Sequence, residues 1–211
     1  MKHTSPLSKY GRITQNCLML VLTGLIMGGC ASSPKSRVYI FTPEDNWQSL
    51  TGRELKDCDY VIGFADLGFP EYLDQPQIVT RVNDTEISIN EFSRWGIPLN
   101  KAIFEMLGAD LARRLPKAYL ELSPRRRPGK TDYIIHLNVI RFDGIPGKTM
   151  ELVAEWKIST PADASDEPVR RTTITRSEIA DTSYESYLSA MKQAINEMSG
   201  AIADAIEERR K

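Results

Sequence analysis

The chain has 211 residues, of which 41% are hydrophobic and 26% are charged, and its formal net charge is -1 at pH 7. These fractions are those of an ordinary globular protein, and a chain so close to neutral has no electrostatic attraction for nucleic acid. The length is sufficient for one domain with a sizeable core.

The N-terminal segment has the pattern of a secretory signal peptide. A basic, polar start precedes the apolar run CLMLVLTGLIM (17–27), which is shorter than the roughly 20 residues that a transmembrane helix needs. An ordinary signal peptide would end in an A-x-A-like cleavage site, but this run ends in two glycines and Cys30.

The segment MGGC (27–30) resembles the lipobox of bacterial lipoproteins, although the family prefers Leu where this chain has Met. The resemblance implies a signal peptide over residues 1–29 and a diacylglyceryl and acyl anchor on Cys30. An ordinary signal peptide with a chance cysteine is the alternative. In such lipoproteins an Asp after the cysteine tends to retain the protein in the inner membrane. Ala31 and Ser32 stand there instead, which favours the outer membrane, on its periplasmic face.

A short tether follows the predicted anchor. Residues 30–36 form the predicted lipidated tether, and from Cys30 to Arg37 the chain can span about 25 Å at full stretch. The remaining residues, 37–211, are predicted to be a single periplasmic domain that lies close to the membrane.

Strand patterns open the predicted domain. RVYIF (37–41) indicates a first strand, and TPEDNWQSLTGRELKDC (42–58) is polar and turn-rich, with room for a short helix. YVIGFADL (60–67) is mostly apolar, as in a strand that is buried on both faces.

A β-hairpin follows. QIVTRV (77–82) and EISINEF (86–92) flank Asn83-Asp84, and such a pair between two β-rich runs is a good hairpin signal. The side chains that we expect in the core are Ile78, Val82, Ile87 and Ile89.

GIPLNKAIFEMLGADLARRLP (96–116) gives the clearest helix. Pro98 suits the first turn, Pro116 ends the pattern, and AYLELS (118–123) then indicates a strand. Apolar residues recur at helical spacing, namely Leu99, Ile103, Leu107, Leu111 and Leu115.

The second half repeats the order of strands and then a helix. Residues 133–139 and 150–158 alternate between apolar and polar side chains around a DGIPGK turn (143–148), which predicts a hairpin with one covered face. VRRTTITRSEI (169–179) resembles an edge strand, and a long amphipathic helix starts near Ser183.

These elements predict an α/β chain of the α+β type. Its simplest arrangement is a mixed, largely antiparallel sheet with two long amphipathic helices packed on it. The repeated order suggests two similar halves, although no residue-level repeat accompanies it.

Motifs for chemistry are weak. The GKT triplets at 129–131 and 147–149 lack the glycine that a phosphate-binding loop has five residues earlier. His136, the one histidine outside the signal peptide, is predicted to be a hydrogen-bonded sheet residue, and Cys58 a buried cysteine. We therefore predict no enzyme, no metal site and no cofactor. RRRPGK (125–130) is either a solvated turn or a contact for anionic headgroups or an acidic partner.

Residues 72–116 resemble the PqiC-type lipoproteins, which are also described as ABC-type transport auxiliary lipoproteins. The resemblance is specific over about 45 residues, and it continues beyond residue 116 only as a matching succession of elements. The residues that carry it are Tyr72-Leu73-Asp74, Pro76-Gln77-Ile78-Val79-Thr80-Arg81, Phe92, Arg94-Trp95, Pro98-Leu99 and Leu111 to Leu115.

The resemblance implies a non-enzymatic part of an intermembrane lipid transport system. The lipoprotein would dock the outer-membrane end of a tunnel made by a periplasmic MCE-domain protein, as a ring-shaped homo-oligomer. Arg81, Arg94 and Trp95 are its candidate interface residues. From the residues alone, Arg81 could equally be an exposed strand residue or a partner of Asp74, and Trp95 could pack the start of the helix.

Two other functions are compatible with the sequence. A periplasmic lipoprotein could hold a lipid or another apolar ligand in a pocket between sheet and helices. A hydrolase using His136 or Cys58 is the weakest hypothesis.

Overall fold

The part of the chain described here is one structural unit. The computed structural model describes residues 35–41, 43, 54–122, 131–161 and 168–211, and the secondary structure in them belongs to a unit formed by residues 36–211. The predicted signal peptide, Cys30, nearly all of the tether and the basic turn lie outside the described residues.

Two α-helices and eight strands form in the described residues. The strands are β1 (Arg37–Tyr39), β2 (Tyr60–Gly68), β3 (Gln77–Arg81), β4 (Ile87–Trp95), β5 (Ala118–Glu121), β6 (Tyr133–Ile145), β7 (Thr149–Ser159) and β8 (Arg170–Ser177). The helices are α1 (Leu99–Arg114) and α2 (Tyr184–Arg210), and short 3-10 turns lie at Leu55–Asp57 and Glu71–Leu73.

The larger sheet has five strands in the order β5-β2-β6-β7-β8. β2 runs parallel to both of its neighbours, β5 and β6, so it lies inside the sheet. Its buried side chains are Tyr60, Val61, Ile62 and Phe64. The β6–β7 and β7–β8 pairs are antiparallel, and β8 lies at an edge, as its polar sequence predicted.

A separate sheet of three strands has the order β1-β4-β3. The predicted hairpin around Asn83 is confirmed as the antiparallel β3–β4 pair, while β1 is parallel to β4. The fold class is α+β with mostly antiparallel pairing, but with two sheets instead of the single sheet expected. The halves also differ, because the strands of the first half are divided between both sheets.

Both helices pack into the same hydrophobic core as the sheets. α1 follows Pro98, and every member of its predicted stripe is at least 97% buried. Ser183 is the N-cap of α2, and its side chain accepts a hydrogen bond from the Ser186 N–H. α2 packs against β7 and β8 and alongside α1. Within the described residues, neither helix is long and apolar enough to span a membrane.

Some predicted positions are wrong. Val82 and Ile89 are 50% and 43% exposed instead of buried, because Val82 follows the end of β3 and Ile89 lies in the first part of β4, which is mostly exposed. Ile78 is fully buried, as expected. Cys58 is only partly buried, because it follows the surface turn Leu55–Asp57.

The predicted DGIPGK turn is also too long. β6 continues to Ile145, and the turn comprises Pro146, Gly147 at φ +74° and Lys148. The ladder to β7 shifts register between Val139 and Arg141. This bulge moves the core-facing positions of β6 from odd to even residue numbers, so the strand could not be followed by simple alternation.

Candidate functional site

The carboxylate of Asp143 joins the two sheets. Arg81, at the end of β3, places its Nε 2.6 Å from Asp143 Oδ1, and Arg141 Nε lies 2.9 Å from the same oxygen. Tyr72 donates its hydroxyl to Asp143 Oδ2. The Asp143 side chain is fully buried and that of Arg81 is 17% exposed. A buried ion pair, and not a ladder of backbone hydrogen bonds, therefore connects β3 to β6.

The surroundings of Asp143 favour its charged form. Burial raises the pKa of a carboxyl group, but the hydrogen bonds from Arg81, Tyr72 and Arg141 outweigh burial and hold the pKa of Asp143 below its ordinary value. Burial, together with the neighbouring carboxylate, raises the pKa of Tyr72 to about 12. Tyr72 is thus a neutral donor at physiological pH.

The cluster explains part of the motif YLDQPQIVTR (72–81). Its first and last residues, Tyr72 and Arg81, both bind Asp143. The partner of Arg81 is therefore Asp143 and not Asp74, and its guanidinium is mostly buried. This placement gives Arg81 a role inside the molecule; its predicted part in a partner interface stays a prediction.

Trp95 lies at the end of β4, immediately before α1. It is 8% exposed, and its ring packs against Phe41 with 5.2 Å between centroids. The backbone N–H of Trp95 donates to the carbonyl of Pro76 at 2.7 Å. This geometry agrees with the view that Trp95 packs the start of the helix.

Arg94 points the other way, to the surface. Its side chain is 44% exposed and pairs with Glu91, with 3.5 Å between Arg94 Nη2 and Glu91 Oε2. Of the three candidate interface residues, Arg94 alone presents its side chain substantially to solvent.

The two segments that carry the resemblance meet at one cleft. Residues 74–76 and 95–98 line an open cavity of about 230 Å³, and the backbone hydrogen bond from Trp95 to Pro76 joins the two segments. Asp74 and Pro76 at its margin are exposed. Three of its walls are Pro76, Ile97 and Pro98, so the cleft offers a rigid, mainly apolar surface with one carboxylate at the rim.

A second, larger groove of about 770 Å³ runs between α1 and α2 beside β8. Charged and amide side chains dominate its lining, with Arg114, Lys192 and Glu197 among them. Arg114 donates to the side chain of Asn196 at 3.1 Å, and Arg176 pairs with Glu197. Such a lining suits solvent and ion pairs better than an acyl chain.

His136 is a hydrogen-bonded sheet residue, as predicted. Its Nε2 lies 2.9 Å from Ser159 Oγ, but Ser159 is only 1% exposed and no substrate reaches its hydroxyl. Burial and the nearby Lys157 lower the pKa of His136. In the described residues, no group of three His, Cys, Asp or Glu side chains is arranged to hold a metal ion.

The predicted anchor residues Cys30, Ala31 and Ser32 lie outside the described residues, so their roles stay predictions. A protein-family model described as "ABC-type transport auxiliary lipoprotein component" matches residues 51–203.

The chain belongs to this family. It is therefore an auxiliary lipoprotein component of an ABC-type transport system. The matched region contains the cleft, the Asp143 cluster and all but the first of the described strands.

Two solved structures are similar to this auxiliary lipoprotein. A crystal structure of an uncharacterized protein superimposes with a TM-score of 0.67 at 16% identity, covering 82% of this chain and 99% of that chain. A protein from Xanthomonas campestris gives a TM-score of 0.55 at 16% identity, with coverages of 81% and 92%. At such identities the likeness shows the fold alone. No curated protein matches the sequence.

Sequence reasoning missed Asp143, which it placed in the DGIPGK turn (143–148). A signal was present, because Arg141 and Asp143 flank a phenylalanine directly after an alternating strand. The bulge that buries Asp143 has no comparable signature, so its partners Arg81 and Tyr72 could not be assigned.

Proposed function

We propose that this auxiliary lipoprotein is the outer-membrane subunit of an MCE-type intermembrane lipid transport complex, similar to the PqiC-type proteins. It docks the periplasmic tunnel of an MCE-domain protein as a ring-shaped homo-oligomer and supports envelope integrity. The proposed maturation removes residues 1–29, acylates Cys30 and leaves residues 37–211 as one periplasmic domain on a short tether.

One observation carries this proposal beyond the family. The two segments that resemble PqiC-type proteins, near Asp74 and near Trp95, line a single cleft. They are separated in sequence by the β3–β4 hairpin, yet they share one surface with a rigid apolar wall. Such a surface suits a protein partner, because interface centres favour apolar contacts over charged ones.

The test is purification of the native, lipidated protein in mild detergent, followed by identification of co-purifying proteins. We expect an MCE-domain protein in a complex that contains several copies of the lipoprotein. Recovery of a lone monomer at good yield would count against the proposal.

A pair of charge reversals tests the cleft itself. Asp74→Arg changes an exposed side chain at its rim, and Asp204→Arg makes the same change at an exposed position of α2. Asp74→Arg should reduce recovery of the MCE-domain protein by about tenfold, as for an interface residue, while Asp204→Arg should not. Equal recovery from both variants would place the docking surface elsewhere and leave the complex intact.

A further inference from the structure

An apolar patch lies on the outer face of the three-stranded sheet. Val38 is 67% exposed, Ile40 59% and Phe92 44%. Isolated exposed apolar side chains are ordinary, but a cluster on one face marks an interaction surface. These three residues are called the β1–β4 patch below.

The backbone places the three side chains on one face. Val38 is in register with Arg94 on the adjacent strand, and Phe92 is two residues from Arg94 along β4, so both side chains lie on the same face as that of Val38. A Cβ on Gly96 would lie 2.5 Å from Ile40 Cγ2 and 3.1 Å from Val38 Cγ1. Glycine at position 96 therefore lets both aliphatic side chains lie flat on the outside of the sheet.

The opposite face of the same strands is already occupied. Tyr39 packs against Tyr184 of α2 at 5.5 Å between centroids, and Trp95 packs against Phe41. The hydrophobic core therefore does not use the side chains of Val38 and Ile40. On the outer face, by contrast, Val38, Ile40 and Phe92 remain exposed.

The charge at the patch is balanced. Arg94 pairs with Glu91 at its margin. Any occupant of this surface is therefore bound mainly through apolar contact.

We infer that the β1–β4 patch rests on the interface of the membrane that holds the anchor. This inference relies on the proposed acylation of Cys30. Val38 is eight residues after Cys30, which limits their separation to about 28 Å, and β1 is the described strand that comes first after the anchor in sequence. An anchor and an adjacent apolar patch act together, since a surface that enters the interface by 5–10 Å adds to membrane binding.

The contact would give the domain a fixed orientation. Gly96 touches the patch side chains and also lines the 230 Å³ cleft, so the cleft opens beside the same membrane surface. A tunnel docked there would end next to the bilayer instead of at an arbitrary distance from it.

The experiment places a fluorescent probe on the full-length, lipidated protein. Acylated Cys30 has no free thiol, so in a Cys58→Ser background Val38→Cys can be labelled alone with an environment-sensitive dye. Val169→Cys is the matched control, because Val169 has the same side chain and is 62% exposed at the start of the β8 edge strand. Both proteins are reconstituted into vesicles of phosphatidylethanolamine and phosphatidylglycerol that contain a nitroxide-labelled phosphatidylcholine.

We expect the nitroxide lipid to reduce the emission at position 38 by about twofold or more, as for a probe within the interface, with little change at position 169. Equal emission at both positions, in protein that floats with the vesicles, would overturn the patch assignment and leave the anchor intact. A probe at position 38 that is shielded from aqueous iodide but not quenched by the lipid would assign the patch to a second copy or a protein partner. If the protein does not float with the vesicles, the proposed anchor is wrong, and this inference is overturned with it.

Discussion

At the scale of single residues, two buried aspartates have opposite preferences. Asp143 has three donors, Arg81, Arg141 and Tyr72, and its pKa is lowered. Asp110 is 5% exposed, and burial raises its pKa despite Arg113 NH2 at 2.6 Å. Asp110 also accepts a hydrogen bond from Ser199, but burial prevails there, whereas at Asp143 the hydrogen bonds outweigh burial.

Replacing each aspartate by asparagine should separate the two cases. Asp143→Asn leaves buried Arg81 without its counter-ion and should lower the free energy of unfolding by about 3 kcal/mol. Asp110→Asn removes a charge that the fold disfavours and should change it by less than about 1 kcal/mol. Urea unfolding curves measure both changes. Equal losses of unfolding free energy would show that the Asp143 cluster does not stabilise the contact between the two sheets.

The Asp143 cluster should also give a defined pH dependence. A carboxyl group with a lowered pKa contributes stability above its unfolded value, about 3.9, and loses it as pH falls through the folded value. The difference in unfolding free energy between wild type and Asp143→Asn should therefore be constant near neutrality and shrink below about pH 4. A difference that shrinks between pH 6 and 8 would contradict the assignment.

At the scale of elements, α2 depends on its N-terminal cap. Ser183 Oγ accepts from the Ser186 N–H at 3.2 Å, and the Asp181 carboxylate accepts from the Ser183 N–H at 2.7 Å. Ser183→Ala should cost about 1 kcal/mol of stability, whereas Ser183→Asp should retain most of it because Asp is an equally good cap. Thermal unfolding of the two variants is the measurement; identical melting temperatures would show that the cap is unimportant.

Elements with their own local signal were predictable. The Leu99–Leu115 spacing determines one face of α1, and the turn at Asn83 determines the β3–β4 pair. The predicted burial of Val82 and Ile89 was wrong because alternation alone does not reveal whether another element covers a strand. The division into two sheets was missed because the three-stranded sheet has no turn signal of its own that separates it from β6. The two sheets meet through side chains such as Arg81 and Asp143.

The cleft was foreseen only in part. The residues near Asp74 and Trp95 were singled out by resemblance, but neither periodicity nor composition predicted that they meet. Their contact depends on a backbone hydrogen bond from Trp95 to Pro76, which leaves no trace in the side-chain pattern.

At the scale of the whole molecule, attachment to the membrane should depend on one atom, the sulfur of Cys30. Cys30→Ser should abolish acylation and move the protein out of the membrane fraction, since acyl chains supply most of the binding energy of such anchors. Cys58→Ser is the control, because it alters a cysteine of the folded unit. Fractionation followed by immunoblotting gives the distribution, and a Cys30→Ser protein that stays in the membrane fraction would refute the lipobox assignment.

The position of β2 has a consequence for how the chain folds. This strand precedes both of its partners, β5 and β6, by many residues, so its ladders close only after long loops have formed. The β3–β4 and β6–β7 hairpins pair between neighbours in sequence. Contacts that are distant in sequence slow folding, and we expect the amides of β2 to gain protection from hydrogen exchange last during refolding. Until then this largely apolar strand remains open to solvent, and a chaperone partner would be useful during that interval.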